Sequence, residues 1–190
     1  MSTLDLPVLA PATTTAASAI DDGRLIPFGA YLAAASRAQP QSAHWPARDI
    51  AAACRRYPHG ERGTVALVSG DGSESAEAAP GVSLAVQIVE PACDTRPHRH
   101  AFWHLYIVVS GHGVAHADDV TTHPLAPGDA FYVPPWAVHR FANPYDDEPL
   151  VLYALQNLPQ LAALGTLVRE APDGRIEHVY RAPSDPSVSS

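Results

Sequence analysis

The sequence predicts a small all-β barrel preceded by two short helices, and three observations predict it. From Thr64 to Leu155 the chain carries five runs of four to eight branched or aromatic residues bounded by Gly, Pro, Asp or Asn, the texture of short strands at barrel or sandwich spacing. Proline, at 19 of 190 residues, is present at about twice its usual share, which favours turns over long elements. His98-x-His100 sets two imidazoles on one side of an extended segment, because side chains on a strand alternate with period two.

In chain order, residues 1–22 are rich in Ala, Thr and Pro and are expected to form a flexible arm. A helical segment packing on the barrel is expected over 23–60: Leu25 to Ala38 has helix formers behind Pro27, and Ala47 to Arg56 places Ile50 and Cys54 on one helical face. The barrel is expected over 61–170, with strands at Thr64 to Val68, Val82 to Val89, Leu105 to Val109, Ala130 to Val133 and Leu150 to Leu155. Ser69 to Pro80 has the composition of an exposed loop, Gly128-Asp129 carries a hairpin signal, and Pro134-Pro135 ends a strand. Leu161 to Val168 is expected to add a last helical turn, and 171–190 to be a tail. Each motif occurs once, which predicts one barrel.

Composition narrows the function. A net charge of -8 with 12 scattered basic residues offers no electrostatic footprint for a phosphate backbone, so nucleic acid is not an expected partner. No run approaches the length of a membrane span and the first residues fail as a secretory signal, so a cytoplasmic protein is expected. Cys54 and Cys93 are expected to be reduced and buried, since a chain of this size needs no covalent staple.

The chemistry concentrates in the histidines. His98 and His100 point together into the barrel, Arg99 points away, and a turn through Trp103 starts a strand on which His104, Tyr106 and Val108 share a face. His139, after the Pro134-Pro135 stop, approaches the same cavity from a second direction. Imidazole suits Fe(II), Zn, Mn, Ni or Cu, so spacing predicts a divalent metal held by His98, His100, His104 and His139 without naming it. Four neutral ligands leave a dication uncompensated, which favours an anionic small-molecule substrate. Phe102, Phe131, Trp136 and Phe141 are expected to line the substrate pocket, with Arg96 and Arg140 placed to clamp a carboxylate. His44, His59, His112, His116, His123 and His178 are expected to be ordinary surface residues.

At Ala92, His98, His100, His104 and Gly111, and again at Gly128, Pro134, Trp136, His139 and Asn143, the chain resembles the cupin superfamily. That family's first motif begins with Gly where Ala92 stands and carries Glu where His104 stands; its second carries Gly at the place of Trp136. The resemblance implies a single cupin barrel, the jelly-roll or double-stranded β-helix, and a homodimer. The strings PHRHAFW and GDAFYVPPWAVHRFAN are most similar to gentisate 1,2-dioxygenases and their relatives. That likeness implies Fe(II) on three histidines, dioxygen as co-substrate and an aromatic hydroxy acid as substrate. Those enzymes have typically two barrels and lack a histidine at the place of His104. A cupin lyase or isomerase using Tyr106 as its base is the rival enzyme, and a non-catalytic small-molecule-binding barrel the rival outside catalysis.

Overall fold

The computed structural model describes residues 26–35, 41–57, 63–70, 76–118 and 120–179. The expected N-terminal arm, His59 and the last eleven residues lie outside them. The chain divides into two units, Met1–Gln39 and Pro40–Ser190. The first contains helix α1 (Phe28–Ala35), within the helical stretch predicted there.

The second unit opens with α2 (Ala47–Arg56), at the predicted bounds. Pro46 stands at its N-cap, where a missing N–H costs nothing, Asp49 lies in the first turn, and Arg55 and Arg56 occupy the last turn, each charge complementing the helix dipole. Ile50 and Cys54 pack with Trp45 against Leu67 and Val86. This helix therefore covers part of the outward face of a sheet whose strands are apolar on both sides.

The strands follow as β1 (Val65–Leu67), β2 (Ser83–Val89), β3 (Cys93–Asp94), β4 (His104–Ser110), β5 (Gly113–Ala117), β6 (Thr121–Leu125), β7 (Ala130–Val133), β8 (His139–Asn143) and β9 (Leu150–Gln156). Helix α3 (Leu158–Ala163) and strands β10 (Val168–Glu170) and β11 (Ile176–His178) complete the order. Two antiparallel sheets face each other, β1-β2-β9-β4-β7 and β3-β8-β5-β6, with β10-β11 as a separate pair. Between them Val89, Tyr106, Val108, Leu150, Leu152 and Ala154 of the first sheet meet Ala115, Leu125 and Phe141 of the second. This is the all-β, double-sheet barrel that the sequence predicted, and among the described residues no helix is long and apolar enough to cross a membrane.

Several local expectations are corrected. Gly128-Asp129 closes no hairpin: β6 pairs with β5 and β7 with β4, so this turn hands the chain from one sheet to the other. The last helix lies earlier than Leu161 to Val168, because Pro159 is tolerated in a first helical turn and Gly165, at φ 67°, follows its end. β10 and β11 carry ordered structure through residue 178, beyond the start of the expected tail. Cys54 is buried as expected, but Cys93 is exposed on β3.

The motif glycines explain three backbone positions. Gly111 has φ 74°, and a Cβ there would fall 2.1 Å from the carbonyl oxygen of Pro149. Ala92 and Trp136, which stand where the resembled motifs carry Gly, hold φ 55° and 66°, so this chain keeps the left-handed turns without the residue that adopts them freely. Gly111→Ala is expected to destabilise the protein by about 2–4 kcal/mol. Ala92→Gly is expected to be neutral or to stabilise it by up to about 1 kcal/mol. Urea unfolding of the two variants checks both signs.

Candidate metal centre

The histidines meet because four strand ends meet. His104 opens β4 and pairs across the sheet with Gln156, the last residue of β9, which in turn pairs with Ser83, the first of β2. His139 opens β8 and exchanges backbone hydrogen bonds with His98 at 3.1 and 3.0 Å. On its other side the ligand segment is held by β10, with Ala101 N–H donating to Val168 and Glu170 N–H to Arg99. His98 and His100 are thus fixed between two backbone neighbours.

One ring nitrogen from each of His98, His100 and His139 lies within 4.8 Å of the others, as a single ion requires. Each Nδ1–H donates to a carbonyl two residues away: Arg96 at 2.9 Å, Phe102 at 2.8 Å and Ala137 at 3.0 Å. That bond selects the tautomer and leaves Nε2 with a free lone pair. His139 Nε2 is buried with no hydrogen-bond partner among the described residues, the condition of an atom built to meet a cation. The donor set therefore fits a divalent metal.

His104 is buried beside this trio and is not part of it. Its Nε2 lies 2.9 Å from Nε2 of His100. As a hydrogen bond, with Nδ1–H of His100 committed to Phe102, this contact would place the His104 proton on Nε2; Nδ1 of His104 is buried without a partner among the described residues. The lone pair of His100 cannot serve that proton and a cation together. Metal binding would therefore oblige His104 to turn away or to move its proton to Nδ1.

Burial governs the electrostatics. Desolvation, followed by the neighbouring His139 and His98, lowers His100 to about 3; desolvation and then His98 lower His139 to about 4. His104 is driven further down by the same causes. Desolvation pushes the Tyr106 phenol well above its ordinary range, so it is a hydrogen-bond donor at neutral pH. His100, His104 and His139 are thereby held as neutral imidazoles, the form that binds metal.

A cavity of about 330 Å³ opens from His98, His100 and His104, walled by apolar Leu84, Ala85, Phe102, Leu158 and Val179 and by polar Ser83, Gln87, Tyr106 and Gln156. Phe102 and Tyr106 both line this cavity. Phe141 is fully buried in the core, Phe131 packs against it and Trp136 is 40% exposed; none of the three lines this cavity. Of the arginines, Arg140 is engaged by Asp94 at 2.8 Å, and Arg96 lines a second, outer cavity beside His98. Arg99, expected to point away, instead shares with Arg169 the wall common to both cavities, paired with Glu170 as Arg169 is with Glu177. Arg169 and Glu170 were missed because their hairpin carries little strand signal. Gln156 was legible: alternation through Leu150, Leu152 and Ala154 sends it inward.

Residues 85–155 match the cupin domain family. The chain is 32% identical over 104 residues to 1-hydroxy-2-naphthoate 1,2-dioxygenase of Nocardioides sp. strain KP7, covering 55% of this chain and 26% of that protein. It is 32% identical over 92 residues to 5-aminosalicylate 1,2-dioxygenase of Comamonas sp, covering 48% and 24%. The chain thus spans about a quarter of the length of these curated relatives. In fold it is similar to a salicylate 1,2-dioxygenase variant from Pseudoaminobacter salicylatoxidans in complex with gentisate, with TM-score 0.66, 20% identity, and 83% of this chain against 46% of that one.

The lowered histidines set a pH dependence for the metal-free protein. Above an unfolded value of about 6.5 both states are neutral and stability is full. Below it the unfolded chain takes up protons that the folded chain refuses, so stability is lost as pH falls towards the folded values of about 3 and 4. The urea midpoint of the metal-free protein is expected to fall between pH 6.5 and 4, and less so for His100→Phe; a midpoint equally steep in the variant would contradict the assignment.

Proposed function

Because the chain carries a cupin domain whose fixed imidazoles open onto a largely apolar cavity, we propose that it is a metal-dependent dioxygenase, using Fe(II) to cleave the ring of a small aromatic hydroxy acid. The observation that carries this is the trio of Nδ1–H bonds to Arg96, Phe102 and Ala137, which aims three lone pairs at one point beside the cavity. The curated relatives, aromatic-acid dioxygenases by name, support it.

His98, His100 and His139 would hold the iron. When bound, Fe(II) supplies the one-electron chemistry through which dioxygen reacts with a closed-shell ring. Three protein ligands leave positions free for small molecules, and three neutral ligands favour an anionic one. Arg99 and Arg169, at the shared wall of the two cavities, draw a carboxylate inward. Phe102, Leu84 and Leu158 bound the ring and keep water out. Tyr106 is kept protonated and stacks on His104, with ring centroids 4.8 Å apart. A phenol so placed is a poor general base, which counts against the lyase, as does the absence of Glu at position 104.

The test is to purify the protein without oxygen, reload it with Fe(II) and follow oxygen consumption over 2-hydroxybenzoates, hydroxynaphthoates and 1,3-dicarbonyls. Uptake with at least one aromatic hydroxy acid is expected; none with any iron-loaded preparation contradicts the proposal. His98→Ala is expected to weaken metal binding by at least about 100-fold while the metal-free melting temperature stays within a few degrees. Collapse of the metal-free fold would instead favour a structural role for the centre.

A further inference from the structure

Gln156 ends β9 at the metal end of the barrel. The other inward residues of that strand, Leu150, Leu152 and Ala154, belong to the apolar core, and Gln156 is the one polar member of the stripe. Its neighbours across the sheet are Ser83 and His104, and all three line the cavity. The Gln156 carbonyl accepts from the Ser83 hydroxyl at 3.5 Å, yet its side-chain amide has no hydrogen-bond partner among the described residues, although the residue is only 6% exposed. Nor is that amide sealed away: among the described residues, the buried side-chain atoms cut off from both partner and solvent are Thr64 Oγ1, His104 Nδ1 and His139 Nε2. The Gln156 amide therefore opens onto the cavity.

A buried amide is ordinarily paired, and here a cavity occupant is what can pair with it. Resting on the dioxygenase proposed above, we propose that Gln156 determines specificity, its amide reading a neutral hydroxyl or amino substituent on the ring of the substrate. That substituent is additional to the acid and hydroxyl groups directed at the histidines. An amide offers both a donor and an acceptor, which a hydroxyl or amino group matches and a methyl group or halogen does not. A second carboxylate is the poorer match, because the cationic groups on the cavity wall are Arg99 and Arg169. The neighbouring Gln87 lines the same wall but is already engaged within the protein.

Calorimetry on the Fe(II)-loaded protein under anaerobic conditions tests this with matched 2-hydroxybenzoates carrying hydroxyl, amino or methyl at the same ring position, each free position in turn. The unmodified protein is expected to bind the best hydroxyl or amino probe about tenfold more tightly than its methyl counterpart. Gln156→Met, close in volume, is expected to erase that gap while leaving the methyl probe's affinity essentially unchanged; Gln156→Leu gives the same comparison if methionine disturbs the far-UV spectrum or melting temperature. Equal binding of all matched probes by the unmodified protein, absence of binding by all of them, or a parallel loss for every probe in the variant overturns the assignment. Because no turnover is needed, a protein that discriminates the probes but consumes no oxygen refutes the dioxygenase and upholds Gln156.

Discussion

The site depends on three hydrogen bonds from imidazole Nδ1–H to main-chain carbonyls. In each case the carbonyl lies two residues from the histidine, at Arg96 for His98, Phe102 for His100 and Ala137 for His139. The backbone that places each ring thus also sets its tautomer. Neutral rings with their lone pairs turned inward are costly to bury unless something meets those pairs, which is why the unpartnered Nε2 of His139 points to a cation.

The barrel supplies the rigidity that such an arrangement needs. His98 and His139 are locked together through their backbones, β10 holds the other side of the ligand segment, and Trp136 N–H donates to the carbonyl of His100 at 2.8 Å. That last bond is made from a left-handed residue, so the turn before His139 retains its geometry although Trp replaces the motif's Gly. Preorganisation of this kind is what lets a protein hold ligands in place before metal or substrate arrives. The apolar core between the sheets anchors β2, β4, β8 and β9 beyond the histidines.

Much of this was legible in the sequence, where side-chain direction follows a strict period. Alternation on a strand put His98 with His100, and His104 with Tyr106, on shared faces, and the bounds of α2 and β7 follow their apolar pattern closely. β5 and β6 were not foreseen because Gly113, Ala115 and Ala117 are small, and Pro124 in Thr121–Leu125 argues against a strand unless it lies at an edge, as β6 does. β8 follows two prolines and reads as loop until the pairing of His139 with His98 is known. The placements of Phe131, Trp136 and Phe141 failed to emerge for a different reason: an aromatic residue on an inward face fills a core as readily as it lines a cavity, and only the opposite sheet decides. His104 is the instructive intermediate, since its period put it beside the trio, with its Nε2 2.9 Å from Nε2 of His100, while the nitrogens gathered within 4.8 Å of one another are those of His98, His100 and His139.

The most direct measurement is anomalous diffraction at the metal edge from crystals of the metal-loaded protein. One peak within about 2.0–2.2 Å of Nε2 of His98, His100 and His139 together is the expected result. A fully loaded protein whose ion sits elsewhere, or touches fewer than these three rings, would contradict the account.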